Sequence, residues 1–235
     1  MKHVFFFAVP QEQNPFLARL KRRGLLPVKV AVNGLAPLAQ VRQVDELTLV
    51  VTGMGPVHAR KTAERILEAG ENQVVWTCGY AGGLNPELGV GAVVYSADAG
   101  FPFQGGLAAG LARQARLVTI DTVAVSRSDK AALRSRSGAD AVDMESAIIR
   151  EIAALRGIPS ATVRTVSDTA DQDLPLDFNA LSTSAGGIHP FKLALALIGA
   201  PQKIPRLIRF GGETARAAEA LAEVLEKALF HGQGV

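Results

Sequence analysis

The sequence predicts an α/β fold in which a mostly parallel sheet is covered by helices on both faces. Short apolar segments rich in β-branched residues alternate with segments of helical periodicity as far as Asp168. Several apolar segments lack polar alternation, which is typical of strands buried on both faces. With 48% hydrophobic and 20% charged residues, the 235-residue chain has the composition of a folded globular protein, which excludes disordered and collagen-like classes.

The first half of the chain predicts strands separated by two helices. The first helix begins near Asn14 and Pro15, because Asn caps helices and Pro suits their first turn. The second helix spans residues 57–69 and ends at Gly70. The predicted strands of this half are 3–9, 28–32, 47–52 and 73–77.

The second half continues the alternation and then changes character. The predicted strands are 90–97, 117–125, 141–144 and 161–166, and the helices are 129–136 and 145–156. Strand signals stop after these segments, and helical patterns appear at 204–210 and 213–230. We therefore predict one domain over residues 1–235, with a helical C-terminal segment from about residue 178.

Charge and cysteine content restrict the partners and the compartment. The net charge of +3 is too small to predict binding to nucleic acid without a clustered basic patch. Cys78 is the only cysteine, which excludes an internal disulfide and favours a reducing compartment. The sequence shows neither a secretion signal nor an apolar stretch of about 20 residues, so we expect a cytoplasmic protein.

Two glycine clusters follow predicted strands, where open α/β sheets bind ligands. Their members are Gly53 and Gly55, and Gly79, Gly82 and Gly83. His58 stands where a dinucleotide fingerprint needs its third glycine, so that motif is excluded. The alternative interpretation of both clusters is tight turns with a purely structural role.

Two carboxylates lie at the junction of the predicted strand 141–144 and the helix that follows it. Asp143 and Glu145 flank Met144, and a carboxylate beside the free amides of a helix start can accept two neighbouring sugar hydroxyls. The alternative is that Asp143 caps the helix and Glu145 complements its dipole.

A second acidic group follows the predicted strand 161–166. Repulsion among Asp168, Asp171 and Asp173, together with partial burial, would raise the pKa of one carboxyl and make it a general acid. The alternative is an Asx turn followed by solvated acids. Glu12, just beyond the first strand, is a third candidate, with a surface acid as its alternative interpretation.

Metal chemistry has no support in the sequence. The four histidines are scattered, and the metal-binding signatures HExxH and paired CxxC are absent from the sequence. Cys78 ends an apolar strand without a neighbouring histidine, which indicates a packed thiol. We therefore expect no metal.

Four ordered motifs resemble the purine nucleoside phosphorylase/nucleosidase superfamily. They are CGYAGGL at 78–84, LGVG at 88–91, VDMES at 142–146 and RTVSDTAD at 164–171. The resemblance covers about residues 1–178 and is strongest to the hopanoid-associated phosphorylases, which also share DKAAL at 129–133. The methylthioadenosine/S-adenosylhomocysteine nucleosidases are similar at a greater distance.

The resemblance implies a three-layer α/β/α fold around a twisted mixed sheet, and cleavage of the bond between a base and ribose. By this resemblance, Glu145 holds the 2′- and 3′-hydroxyls, and Met144 packs on the sugar. Asp168 protonates N7 of the purine, and Ser167 orients that carboxyl. Glu12 stands where the nucleosidases have the carboxylate that activates water.

Three further residues complete the substrate-binding set that we predict. Tyr80 stands where the family often has a serine near the ribose, and Gly82 and Asp143 belong to the matched motifs. Thr77 stands where related phosphorylases carry an arginine that binds phosphate.

The resemblance predicts release of adenine from a 5′-modified adenosine, with adenosylhopane as a candidate, by phosphorolysis. Inorganic phosphate would then be a co-substrate, and we expect no other cofactor. The alternatives are a hydrolytic nucleosidase of the methylthioadenosine/S-adenosylhomocysteine type and a nucleoside-binding protein without catalysis. The family also implies a homo-oligomer.

The C-terminal region is basic and amphipathic. Cations such as Lys203, Arg206 and Arg209 alternate with Ile204 and Ile208, a pattern that suits contact with a membrane surface. The alternative, which we favour, is a helix packed on the domain or at a dimer interface.

Overall fold

The computed structural model describes residues 1–67, 73–181, 183, 187 and 200–231. Gly70, the predicted end of the second helix, lies outside these residues, as does most of the interval between 182 and 199.

The described strands form one mixed sheet. Ten strands are present: β1 (Lys2–Phe7), β2 (Val28–Val30), β3 (Gln40–Val44), β4 (Leu47–Val51), β5 (Gln73–Gly83), β6 (Val93–Ala97), β7 (Arg113–Gln114), β8 (Leu117–Thr119), β9 (Ala141–Asp143) and β10 (Ser160–Asp168). Their order is β2-β3-β4-β1-β5-β10-β6-β7, with β9 joined to β5 and β8 joined to β9. The pairs of β1 with β4 and β5, and of β5 with β10, are parallel, whereas β10 and β6 are antiparallel.

Seven described α-helices accompany the sheet: α1 (Pro10–Arg22), α2 (Pro56–Leu67), α3 (Gln104–Ala109), α4 (Arg127–Ser137), α5 (Ser146–Leu155), α6 (Phe178–Leu181) and α7 (Ile204–Leu229). Side chains alternate along β1, so that Phe5 joins one hydrophobic cluster and Phe6 the other. The Phe5 cluster includes α1, α3 and α7, and the Phe6 cluster includes α2 and α5. The three-layer α/β fold with a mixed sheet is thereby confirmed.

Strand β5 is longer than predicted because the glycines of its second half continue the strand. Gly79 has φ +149°, and a Cβ there would lie 2.5 Å from both Glu12 Oε1 and Arg164 Nη1. The backbone at this position must approach two charged side chains, which only glycine permits. The cluster at 79–83 is therefore strand, and not the turn that the sequence suggested.

Two helices also differ from their predicted extents. Helix α1 begins at Pro10, four residues before Asn14, because the Glu12 side chain accepts the N–H groups of Ala8 and Val9 at its start. The segments predicted as two helices at the C-terminus form the single helix α7, which continues through Gly211 and Gly212. Its second half packs against α1 and the sheet, and this burial outweighs the cost of two glycines.

Two further findings concern the rest of the described chain. The sequence did not predict strand β3, which lies between β2 and β4, because its Arg42 and Gln43 interrupt the apolar pattern. Within the described ranges, the structure has no helix of sufficient length and apolar character to span a bilayer. The extension of one domain over residues 1–235 stays a prediction.

Candidate active site

All eight predicted site residues line one cavity of about 590 Å³. They are Glu12, Tyr80, Gly82, Asp143, Met144, Glu145, Ser167 and Asp168. Three parallel strands, β1, β5 and β10, end or pass at this edge of the sheet, where open α/β folds bind their ligands. Residues far apart in sequence meet here because each follows or ends a neighbouring strand.

Glu12 is held in the cavity wall by backbone amides. Its Oε2 accepts the N–H groups of Ala8 and Val9 at 2.8 and 3.1 Å, and its Oε1 accepts that of Tyr80 at 2.8 Å. Burial raises the pKa of Glu12 above its usual range, and the nearby Arg164 and these amides oppose the rise. The side chain is only 4% exposed, so the alternative of a surface acid is wrong.

Arg164 is a buried cation behind these carboxylates, and sequence reasoning assigned it no role. Its Nη2 lies 2.5 Å from Asp143 Oδ2 and 3.9 Å from Glu145 Oε2, and its side chain is 2% exposed. The signal that could have found it was a charged residue within the apolar strand β10, because a buried charge requires a partner.

The Asp143 carboxylate is already paired with other residues of the protein, by one ion pair and several hydrogen bonds. Besides Arg164, its carboxylate accepts the hydroxyls of Thr119 at 2.6 Å and Ser146 at 2.9 Å, and the Ser146 N–H at 3.2 Å. The arrangement fixes Arg164 and joins β9 to the start of α5. A role of Asp143 in substrate binding stays a prediction.

Glu145 directly precedes α5, which begins one residue later than predicted. Its Oε1 accepts the N–H of Gly55 at 2.8 Å, in a turn where Gly55 has φ +91°. Burial raises the pKa of Glu145 to about 7, the Asp143 carboxylate adds to the rise, and Arg164 opposes it. Met144, half-buried beside it, also lines the cavity.

Asp168 ends β10 with a hydrogen-bond donor on each oxygen. The Ser167 hydroxyl donates to Oδ1 at 2.6 Å, and the Lys130 ammonium lies 2.5 Å from Oδ2. A Cβ on Gly82 would lie 3.5 Å from Oδ2, an ordinary contact, and only 3.2 Å from Val142 Cγ1, so it is the approach of β9 that favours a glycine here. Sequence reasoning quoted Lys130 within a motif without assigning it a role.

The repulsion predicted among the acids near Asp168 is wrong for two of them. The Thr169 hydroxyl donates to Asp171 and lowers the pKa of that carboxyl. The backbone N–H of Arg127 donates to Asp173 at 2.8 Å and lowers its pKa in the same way. The charge nearest to Asp168 is a cation, Lys130. The sequence spacing could not show these partners, because they come from another helix and from neighbouring loop residues.

The cavity is acidic where the predicted site residues lie. None of its described lining residues is Lys, Arg or His, whereas Glu12, Asp143, Glu145 and Asp168 are all present. Arg164 lies behind this lining and contacts the carboxylates.

The remainder of the cavity is apolar. Its lining includes Leu38, Ile120, Val123, Leu174, Phe178 and Phe210. The rings of Phe178 and Phe210 lie 5.9 Å apart, which brings α6 and α7 together at this wall. The volume falls within the range of about 300–1,000 Å³ found for small-molecule sites.

Comparison with known proteins identifies related sequences and structures. The sequence model of the phosphorylase superfamily matches residues 39–106 and 107–199, more than half of the chain. The futalosine hydrolase of Helicobacter pylori has a similar structure, with a TM-score of 0.71, 17% identity, and coverage of 97% of each chain.

Two nucleosidase structures are also similar. The 5′-methylthioadenosine/S-adenosylhomocysteine nucleosidase of Helicobacter pylori with butyl-thio-DADMe-Immucillin-A has a TM-score of 0.69 and 17% identity, covering 97% of this chain and 98% of that one. The corresponding nucleosidase of Colwellia psychrerythraea with adenine has a TM-score of 0.69 and 19% identity, covering 97% and 94%. At these identities the likeness shows a shared fold.

Proposed function

The chain belongs to the phosphorylase superfamily and is an enzyme that acts on N-glycosidic bonds, and on this premise we propose that it releases adenine from an adenosine with an apolar 5′ substituent. One observation carries the proposal: three carboxylates from separate elements, Glu12, Glu145 and Asp168, line one cavity. Each has different partners, which suits three different roles in one reaction.

Glu145 and Met144 would hold the ribose. When the bond from C1′ to N9 lengthens, the sugar gains positive charge, and an ionised Glu145 that accepts the 2′- and 3′-hydroxyls stabilises that charge. The Gly55 N–H fixes Oε1, so the carboxylate is oriented before substrate arrives.

Asp168 and Glu12 would handle the protons. Asp168 gives a proton to N7 while the base takes the electron pair of the broken bond, and Ser167 orients the Asp168 carboxyl. Water attacks C1′, and Glu12 takes its proton. The raised pKa of Glu12 favours this role, because a stronger base removes a proton from water more readily.

The lining favours water over phosphate as the nucleophile. Phosphate is an anion, and the described lining offers it four carboxylates and no cationic side chain. Two arginines outside this lining pair with acids: Arg60 binds Glu151 at 3.1 Å, and Arg127 lies 3.5 Å from Asp173. Phosphorolysis, as the resemblance implies, would require a cation from outside the described lining.

The apolar part of the cavity supports an apolar 5′ group. Leu38, Leu174, Phe178 and Phe210 offer hydrocarbon contacts, each of which stabilises a bound alkyl or polycyclic group by the hydrophobic effect. Adenosylhopane fits this substrate class.

The test is release of free adenine from a panel of 5′-substituted adenosines, with and without inorganic phosphate. We expect equal release in both conditions, and faster release when the 5′ group is apolar. Release that requires phosphate and yields the 5-substituted ribose 1-phosphate would show phosphorolysis and refute hydrolysis. Binding of adenosines without any release of adenine would refute catalysis.

Replacing Asp168 with Asn separates a catalyst from a binding protein. We expect kcat to fall by about 10²- to 10⁴-fold, since general acid catalysis contributes that much. Asp171→Asn, at an exposed neighbouring acid, is the matched control.

We further propose that the start of α7 contacts anionic membranes. Ile204 and Ile208 are 40% and 71% exposed, the cations Lys203 and Arg206 are exposed beside them, and Phe210 of the same helix lines the cavity. Flotation with anionic vesicles should recover the wild type and lose the Ile208→Ser variant. An unbound, folded wild type would refute the contact.

The homo-oligomer stays a prediction, which sedimentation checks.

A further inference from the structure

Lys130 is a buried cation directly behind the proposed general acid. It lies in α4 with 0% exposure, and its ammonium contacts Asp168 Oδ2 at 2.5 Å, the Thr169 carbonyl at 2.7 Å and the Gln172 carbonyl at 2.8 Å. An ammonium has three N–H donors, so these three acceptors use all of them. Lys130 therefore fixes Asp168 and the loop that follows β10 in one arrangement.

This arrangement creates a chemical problem for Asp168. Both of its oxygens accept hydrogen bonds, one from the Ser167 hydroxyl and the other from Lys130. An ionised carboxylate has no proton to donate. If Asp168 protonates a base in a cavity that the bound substrate has closed to water, its proton comes from a group that already contacts it. Of the two contacting groups, the ammonium is a far stronger acid than the hydroxyl.

We propose that Lys130 is a positioning residue that supplies, through Asp168, the proton received by the purine. The inference rests on the proposed function. A proton moves from Nζ to Oδ2, and the Asp168 carboxyl gives a proton to N7 as the bond from C1′ to N9 breaks and its electron pair moves to the base. Lys130 is then a neutral amine, Asp168 is again a carboxylate, and the water proton is on Glu12. Exchange of protons with solvent then restores the Lys130 ammonium and the Glu12 carboxylate.

Burial favours the first of these transfers when the cavity is filled. A purine in the cavity excludes water from the exposed part of Asp168, and a carboxylate then loses solvation that a neutral acid does not need. The other charged groups near Lys130 are few in the described chain: Asp171 and Asp173 on the loop side, with Arg127 against Asp173. Both of these acids have other hydrogen-bond donors, so Asp168 is the acid that contacts the ammonium.

The experiment compares two leaving groups in the full-length protein. The first substrate is the best-cleaved member of the 5′-substituted adenosine panel, whose base needs a proton to leave. The second is 4-nitrophenyl β-D-riboside, whose nitrophenolate leaves without one. For Lys130→Met we expect at least about 100-fold loss of kcat with the adenosine and less than about 5-fold loss with the nitrophenyl riboside.

Lys130→Arg distinguishes proton supply from charge alone. A guanidinium keeps the positive charge but does not release its proton in proteins. We therefore expect Lys130→Arg to lose adenosine cleavage as Lys130→Met does, and to keep nitrophenyl riboside cleavage. Lys29→Met, at an exposed lysine of β2, is the matched control and should behave as the wild type.

Each result has one meaning. Adenosine cleavage by Lys130→Arg within about 5-fold of the wild type would overturn proton supply. Equal losses with both substrates would indicate a general structural role and would also overturn it. If Lys130→Met does not fold, the arginine variant alone decides by the same comparison. A wild type that cleaves the nitrophenyl riboside and no nucleoside would instead refute the proposed function.

Discussion

The two ends of the cavity both use a buried cation, but they combine it with different numbers of carboxylates. The two ends are named for their proposed roles. At the sugar end, defined by Glu12, Asp143, Glu145 and Arg164, one guanidinium faces three acids. At the base end, defined by Ser167, Asp168 and Lys130, one ammonium contacts one acid.

The difference suits the roles that we propose for the two ends. A guanidinium stays charged, so Arg164 can support permanent negative charge, which a developing sugar cation needs. An ammonium can release a proton, which a departing base needs. Burial, with the neighbouring acids adding to it, also raises the pKa of Glu145 to about 7, so that end is sensitive to pH near neutrality.

Removing each cation should show the difference in stability. Arg164→Met leaves three acids without their common cation, and breaking a buried pair costs about 3–5 kcal/mol. We expect a loss in that range in urea unfolding, and a smaller loss for Lys130→Met, which leaves one acid, Asp168, without its cation and two loop carbonyls without their donor. Arg136→Met, at an exposed arginine of α4, is the control. Equal losses from the two buried sites would contradict the comparison.

The pH dependence of nucleoside binding tests the sugar end alone. Glu145 must be ionised to accept two hydroxyls, and below its pKa of about 7 it is protonated. We expect the Kd of a non-hydrolysable nucleoside analogue to rise about tenfold per pH unit below 7, since one unit corresponds to about 1.4 kcal/mol. Free adenine has no ribose and serves as the control, because its Kd should not respond to Glu145. The same dependence of Kd on pH for both ligands would show that the titrating group is not Glu145.

His3, a buried titratable group outside the cavity, should give the smallest of these effects on stability and serves as a reference for both ends. Burial lowers the pKa of His3 to about 4, with the N-terminal charge adding to the decrease, and its Nδ1 accepts the Trp76 N–H at 3.3 Å. Because the unfolded pKa is about 6.5, the stability contribution is complete above that pH and is lost as pH falls from 6.5 towards 4.

The measurement is the Tm of the wild type and of His3→Gln, whose amide oxygen can still accept from Trp76. We expect the advantage of the wild type to shrink as the pH falls through this interval. A change of 1 kcal/mol corresponds to about 2–4 °C in a chain of this size. A constant difference between pH 7 and pH 4.5 would contradict the assignment to His3.

Particular residues show which parts of the site could be predicted from the sequence. The strand ends predicted the positions of Glu145 and Asp168, because burial and β-propensity mark strands locally. The sequence did not predict that Arg164 lies beside Glu145 or that Lys130 contacts Asp168. These pairs join β10 to the residues that follow β9 and to α4, which are distant from it in the sequence. Burial depends on what covers a position, and Lys130, in the predicted helix 129–136, is fully buried because other elements cover it.

The sequence alone determined the α/β class, the alternation of elements and the placement of Glu145 and Asp168 at strand ends, since periodicity and strand ends are local properties. The family resemblance added Met144, Ser167, Tyr80 and Gly82 to the predicted site residues, and these also line the cavity. Only the tertiary structure decided the length of β5 and the environment of each acid. The glycines of β5 are strand because Glu12 and Arg164 approach Gly79, and the pKa of Glu145 is raised because other elements bury it. Such effects depend on neighbours in space, which the order of residues does not specify.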